Sequence, residues 1–525
     1  MFEEEFDGII LGAGHNSLVL QAYLLREGLK VLSIERRSEP GGGLTTMEDP
    51  RNPGFLHNTH SFFHRALDQQ PWFREFELDT RGAVYIEPDL NVAVLLEDGR
   101  SLEWWTDFDR TVDSIKQFSK KDAATISKWR SAFQPIVEEI IMPENQAPPL
   151  PPAQRAEKLE RTSTGRLLLE VSKLSPLEFV KQEFESPVVQ AGLLFFNGLR
   201  EVDLRCTGFG HHIPALLASS HKAQMCLGGS ANLARALVNV IYSLNGQIWT
   251  HSTPRRILIE NGRSVGVELV DGRRIRAKKF VVSGLNPQQT FLELIEPALL
   301  PLQWRRKAEN FQYNLIAPLF SLNLCLKHPP RYFTAENRPE LDKAFMVVLG
   351  LERLESYTAM VECHQKGSFP PTVMWGCCPT VFDPSQAPPG CHTAFMWQKI
   401  PFRLRDLDWD FVKEEHGRRM LDLWQRRAPN LADSIIDWFV RSPVDTERTF
   451  PNMKEGDLLI GAFSGGQIGY NRPFPGAGHY RTCIEGLYLC GSCCHPGGNI
   501  TGLPGYNSAQ VILGDLGISR SWESK

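Results

Sequence analysis

The chain has 525 residues, a net charge of −4 and 22% charged residues with both signs interspersed, so it carries no electrostatic footprint for nucleic acid. No run of about 20 uninterrupted apolar residues is present, which argues against a membrane-spanning helix. The N-terminus is acidic (FEEEFD) and leads straight into an apolar run, so no secretory signal is expected; the reading is a cytoplasmic protein, with peripheral membrane contact left open.

Residues 6–11 (FDGIIL) read as a short buried parallel strand, because the apolar run stops abruptly at Gly12. Gly12 permits a tight turn, and Gly14 lets the backbone approach a pyrophosphate with no Cβ in the way. Residues 18–26 (LVLQAYLLR) have helical apolar spacing and end before Gly28, a suitable C′ residue. Such a helix offers free N–H groups and the positive end of its dipole to phosphate. A second strand follows at 30–34 (KVLSI), with Glu35 at its tip, 23 residues after Gly12. That spacing suits an acid that hydrogen-bonds ribose hydroxyls, and its charge disfavours a 2′-phosphate. Ser17 replaces the third glycine of the fingerprint. It is the next smallest residue for a position that serves helix–strand packing.

The acid is followed at once by a second glycine cluster, in RRSEPGGGLTT at 36–46. A nicotinamide domain has no need of it, whereas a flavoprotein chain folds back across the pyrophosphate there. The C-terminus supplies GLYLCGSCCHPGGNITGLPG at 486–505, a glycine- and proline-rich loop leading into a helix.

Together, GAGHNSL, ERRSEPGGGLTT and the C-terminal segment resemble the phytoene desaturase superfamily of FAD-dependent oxidoreductases, with most likeness to its carotenoid-ketolase-like and retinol-saturase-like branch. The resemblance spans the chain. It extends to Gly228, Gly229 and a helix over 232–242, and to hairpin signals at Asn261-Gly262 and Asp271-Gly272. It implies an α/β two-dinucleotide-binding-domain flavoprotein. A discontinuous FAD domain would take residues 1–65, 220–300 and 450–525, and a mixed α+β substrate cap residues 66–219 and 301–449.

The resemblance also implies the residues that hold FAD. In the N-terminal half these are Gly12, Gly14, His15, Asn16, Ser17, Glu35, Arg36, Gly42, Gly43, Leu44 and Pro254. Pro254 stands where an adenine contact is usual, and lacking an N–H it leaves only a carbonyl contact. The C-terminal set is Gly491, Ser492, Gly498, Asn499, Gly502 and Leu503, with Asn499 where the family carries glycine. The helix beginning near Leu503 would point its N-terminus at the flavin edge that gains negative charge on reduction.

Histidines at 57, 60 and 64 lie among aromatics in GFLHNTHSFFHR, and His211-His212 follows a Gly-Phe-Gly turn. His64, His60 and His212 are candidates for proton transfer near the flavin; the plainer reading is a hydrogen-bonded packing role. No carboxylate joins the histidines at ligand spacing, so no metal site is expected. Cys490, Cys493 and Cys494 read as small reduced residues packed around the cofactor rather than haem, zinc or redox ligands. Arg472 is the candidate anchor for a substrate carboxylate or carbonyl. The proline-rich stretch 146–152 (QAPPLPP) reads as a stiff surface connection within the cap, and 315–326 as a buried strand.

Three function classes follow. The first is oxidoreduction at a C–C or allylic C–H bond of a polyene, isoprenoid or alicyclic substrate, with O2 or a quinone as electron acceptor. The second is a C–N or C–O oxidase of the amine-oxidase type, and the third a flavin-free carrier of prenylated partners, as in the Rab GDP-dissociation inhibitors that share the fold.

Overall fold

In the computed structural model, residues 2–198, 203–219, 222–464 and 466–523 are described. Two seven-stranded sheets organise them. The first runs in the order Gln247–Trp249, Val31–Ile34, Glu4–Leu11, Arg274–Ser283, Arg263–Leu269, Pro254–Glu260. It is parallel through its first four strands. The Arg274–Ser283 strand divides its edge: its first half pairs antiparallel with Arg263–Leu269, and its second half pairs parallel with Leu487–Leu489. The C-terminal strand thus lies in the same sheet as the N-terminal one.

The first strand begins two residues before the expected start, because Glu4 and Glu5 pair with Ile275 and Arg276. After Asp7 its run from Gly8 to Leu11 is continuously apolar because both faces are covered. Phe6, Ile9 and Leu11 pack on one side, Ile10 on the other, all fully buried. The first helix, His15–Arg26, also starts earlier than its apolar spacing indicates. Its opening triplet is polar yet buried in the turn, so the helical period shows only from Leu18. Helices Ala231–Ser243 and Leu503–Asp515 pack against it on the same face of the sheet. Asn261 and Gly262 have φ of 52° and 79°, as a two-residue I′ hairpin turn requires.

The second sheet runs Ile435–Arg441, Leu319–Leu326, His392–Lys399, Met374–Cys377, Met346–Leu349, Leu90–Leu95, Ser101–Trp105. Every pairing is antiparallel except Met346–Leu349 with Leu90–Leu95. Its strands alternate between two cores: Phe395 and Trp397 face one, Ala394 and Met396 the other.

The proline-rich stretch keeps Leu150 and Pro152 exposed, as a surface connection does, but elsewhere it is half-buried or buried and tied to the rest of the chain. It follows the helical run through Lys120–Ile136, a π-helical turn at Val137–Ile141 and Met142–Asn145. The C-terminal part of the chain then holds it by its carbonyls. Asn507 Nδ2 donates to Asn145 O (3.0 Å) and Ala147 O (3.3 Å), Gln510 Nε2 to Gln146 O (3.0 Å), and His479 Nε2 to Pro149 O (2.8 Å). A segment with so few N–H groups still offers a carbonyl at every residue, and those carbonyls anchor it.

Candidate active site

A chamber of about 1920 Å³ opens at the C-terminal ends of the parallel strands and extends to the wall of the second sheet. Gly12 turns the chain with φ +83°, its N–H donating to Ile34 O (2.8 Å). Gly14 is the N-cap of the first helix, no side chain caps it, and a Cβ built there would meet nothing within 4 Å. The helix therefore presents its free N–H groups to open space. The second glycine cluster closes over this turn. Gly41 N donates to Ala13 O (2.7 Å), and a Cβ on Gly42 would come within 3.2 Å of Gly14 Cα. Two glycine turns packed backbone to backbone account for the triplet. Gly42 and Gly43 line the chamber, whereas Leu44 turns into the core beside Leu233 and supports the turn from behind.

Ser17 is accommodated by a glycine elsewhere: a Cβ on Gly284 would lie 2.3 Å from Ser17 Oγ. Glu35 accepts from Ala13 N (3.0 Å) and Arg37 N (2.9 Å), so the acid at the strand tip braces the glycine turn while lining the chamber with Arg36, Thr253 and Pro254.

The C-terminal segment completes the same chamber. Asn16 Nδ2 donates to Ser492 Oγ at 3.1 Å, joining residues 476 positions apart. Gly491, Ser492, Gly498, Asn499 and Leu503 line the chamber. Asn499 has φ +83°, a conformation that glycine adopts freely and asparagine tolerates best among side-chain-bearing residues. The departure from the family's glycine thus preserves the backbone. Gly502 caps the final helix with φ +67° but does not line the chamber. A Cβ there would lie 2.5 Å from the Trp72 indole, so packing demands this glycine. His15 Nε2 and Asn16 Oδ1 are buried without protein partners at the mouth of the cradle. Open space above Gly14, uncapped helix N-termini and these unpaired polar atoms fit a dinucleotide.

Cys490, Cys493 and Cys494 lie outside the lining, and burial pushes the Cys490 thiol up to about 12 and the Cys494 thiol well above its ordinary range. All eleven cysteines are free.

The three candidate histidines all reach the chamber, with different surroundings. Both His64 nitrogens are engaged, Nδ1 with Tyr85 OH (2.6 Å) and Nε2 with Ser61 Oγ (2.9 Å). Burial lowers its pKa to about 3, so it is neutral and reads as a positioning residue. His60 stacks edge-on against Phe450 and bonds Thr59 Oγ1 through Nδ1 (2.8 Å), leaving Nε2 without a protein partner. Burial holds it neutral as well. His212 packs edge-on against His211 and Phe209.

Arg472 is not a substrate anchor. It is 1% exposed and absent from the lining, and its two terminal nitrogens donate to the carbonyls of Ile460, Gly461, Ala462, Gln467 and Ser492 at 3.1–3.2 Å. It binds the loop before the C-terminal segment to that segment.

The far wall comprises Phe62, Leu319, Trp375 and Trp397. Trp375 and Trp397 are register partners on adjacent strands, their rings 6.2 Å apart and edge-to-face. In the sequence Phe395 to Trp397 reads as ordinary core on its own pattern, while the family resemblance implies an apolar substrate cap in this part of the chain. The period-two alternation across His392–Lys399 is the available signal, but it marks a face without showing that the face borders a cavity. The part played by residues 137–152, which line another side, has no signal short of three-dimensional contact.

A family model described as an NAD(P)-binding Rossmann-like domain matches residues 10–77. A limonene dehydrogenase chain of Castellaniella defragrans is 31% identical over 99% of this chain and 96% of its own length. A lycopene-forming phytoene desaturase of a Paracoccus species is 22% identical over 97% of each. Among solved structures, cyclohexylamine oxidase from Brevibacterium oxydans shares the fold, with a TM-score of 0.61 at 15% identity over 98% of this chain and 99% of that one. With both glycine turns, the acid and the C-terminal segment assembled around one chamber, the chain is an oxidoreductase and belongs to the phytoene-desaturase-like superfamily of FAD-dependent oxidoreductases.

Proposed function

We propose that the chamber holds FAD and that the enzyme acts on a C–C or allylic C–H bond of an apolar molecule: a polyene, an isoprenoid or an alicyclic compound. The pyrophosphate would lie over Gly12 to Ser17, the adenosine ribose at Glu35, and the flavin end against Gly491, Ser492, Gly498, Asn499 and the N-terminus of the Leu503–Asp515 helix. When bound, FAD supplies a hydride acceptor or donor.

The observation that carries the substrate class is the aromatic and aliphatic wall. Phe62, Leu319, Trp375 and Trp397 continue the same chamber, and the three strands that bear the last three contain no acidic residue. Such a wall excludes water and recognises shape rather than charge. His60 Nε2 is the neutral acceptor for the proton that leaves the carbon next to the hydride donor. The relatives named for limonene dehydrogenation and phytoene desaturation take hydrocarbon substrates, which supports the same class here. Likeness to amine oxidases is a likeness of fold. An amine would need a counter-charge; the wall strands carry no acid, and Lys399 Nζ lies 5.9 Å from the Trp375 ring. Besides Glu35, the carboxylates that line the chamber, Glu138, Glu139, Glu144 and Glu293, belong to other segments. Electrons would pass on to O2 or a quinone. Among the described residues no helix is long and apolar enough to cross a membrane.

Anaerobic mixing of the purified protein with cyclic terpenes, carotenoids, alicyclic acids and amines, followed by flavin absorbance, tests the reading. Bleaching by a hydrocarbon class supports it. Bleaching by amines alone overturns it.

A further inference from the structure

The histidine nearest the hairpin turn, His57, takes no part in the chamber. It lies instead in a buried trio with Asp49 and Cys325; His57, Asp49 and Cys325 are 3%, 2% and 0% exposed. Cys325 Sγ is 3.7 Å from His57 Nε2 and 3.7 Å from Asp49 Oδ2, and the three ligand-type atoms all fall within 4.8 Å of one another. The sequence shows no such grouping. Asp49 and His57 come from the two strands of one hairpin, Thr46–Asp49 and Asn52–Asn58, and Cys325 comes from the second sheet, 268 residues beyond His57.

We propose that Asp49, His57 and Cys325 form a structural zinc site. Tetrahedral Zn²⁺, with metal–sulfur and metal–nitrogen bonds of about 2.3 and 2.0 Å, places adjacent ligand atoms roughly 3.5 Å apart, close to the separations found here. A thiolate, an imidazole and a carboxylate select zinc over the harder cations, and the two anionic ligands neutralise a divalent ion in a buried setting. Binding takes the proton from the Cys325 thiol and releases it to solvent, so that the sulfur–metal bond replaces the S–H bond.

The fourth position is left to water, and Asp437 borders the site without joining the three ligand atoms. Strand register sets Asp437 directly opposite Cys325, so both side chains lie on one face of the sheet. Its carboxylate accepts from Asn52 Nδ2 (2.8 Å), which also donates to Asp49 Oδ2 (3.2 Å), and lies 3.1 Å from Arg51 Nη2. The Asp437 side chain is 29% exposed and gives an entry path that the other three lack. Asn52 and the Arg51 N–H, which donates to Asp49 Oδ1 (2.9 Å), orient the first carboxylate as outer partners of metal ligands do.

The site would fasten the hairpin that follows the second glycine cluster to the second sheet, independently of what the chamber binds. The test uses the full-length protein with its cofactor, stripped with a chelator, dialysed and titrated with Co²⁺. The expected result is one equivalent bound, with a thiolate-to-cobalt charge-transfer band in the difference spectrum, and displacement by Zn²⁺. Cys325→Ser should abolish the band, and Asp49→Asn should weaken binding at least tenfold while keeping the fold. Zinc should raise the unfolding midpoint of the unaltered protein and leave that of Cys325→Ser unchanged. Failure of the unaltered protein to bind one equivalent, or a band that survives Cys325→Ser, overturns the proposal and leaves a hydrogen-bonded trio only.

Discussion

Arg472 Nη2 lies 3.2 Å from the carbonyl oxygen of Ser492, a residue of the segment that closes the chamber. The same guanidinium holds four carbonyls of the 460–467 loop, so one buried cation fixes the spacing of two glycine-rich segments that have little regular structure of their own. In Arg472→Ala the carbonyls of Ile460, Gln467 and Ser492 lose this donor, while those of Gly461 and Ala462 keep only Asn314 Nδ2 and Gln467 Nε2. Leaving a buried carbonyl without a donor costs about 1–3 kcal/mol. The variant should purify with little flavin and a markedly lower unfolding midpoint. Full flavin content with reduced turnover would instead return Arg472 to the substrate.

Asn499 stands at φ +83°. Asn499→Gly should keep flavin content and stability within about 1 kcal/mol, because glycine adopts this conformation at no steric cost. Asn499→Val should lose at least about 1–2 kcal/mol and part of its flavin, because a β-branched residue is strained there. Equal behaviour of the two variants in thermal melts would show that the side chain, not the backbone, matters.

The cradle is legible in the sequence because its chemistry is local. Gly12, Gly14 and Glu35 act through backbone shape and the end of one strand, and their spacing survives in one dimension. Residues whose neighbours are distant in sequence are not legible. Ser17 needs Gly284, Gly502 needs Trp72, and Arg472 sits among carbonyls that no pattern announces. The stretch 146–152 is only half legible for a related reason. Proline richness reports stiffness and lack of donors, and says nothing about whether Asn507 and Gln510 wait to hold its carbonyls.

Those two residues give a further prediction. Asn507→Ala with Gln510→Ala removes two hydrogen bonds to the stretch and one to Asn145 just before it, each worth about 0.5–1.5 kcal/mol. Limited proteolysis within 142–152 should accelerate, and KM should rise more than kcat falls. Unchanged cleavage would show that apolar packing alone holds the segment.

His364 and His416 are buried away from the chamber, and burial lowers both to about 4. The folded state keeps them neutral, whereas the unfolded chain protonates them near 6.5, so the unfolded state binds more protons between those values. Their contribution is fully present above about pH 6.5 and is lost as pH falls toward 4, by up to about 1.4 kcal/mol per pH unit for each residue. The unfolding midpoint should therefore fall steadily from pH 6.5 to 4.5, and less steeply in His416→Gln. A flat profile would mean that both rings are solvated in the folded protein.

His60 and His64 should separate by readout. His60→Gln should retain flavin and lower kcat by about a hundredfold or more, as loss of a proton acceptor does. His64→Gln, which disturbs the contacts to Tyr85 and Ser61, should lower stability first. The reverse pattern in paired flavin-content and turnover assays would exchange their roles.

In the proposed function the two ends of the chain build one FAD site. This is tested most directly by denaturing the purified protein and identifying and quantifying the released cofactor. FAD at one per chain is expected, lost in a Gly14→Leu variant that fills the open space above the first turn. A colourless protein, a bound nicotinamide dinucleotide, or FAD that persists undiminished in Gly14→Leu would contradict it.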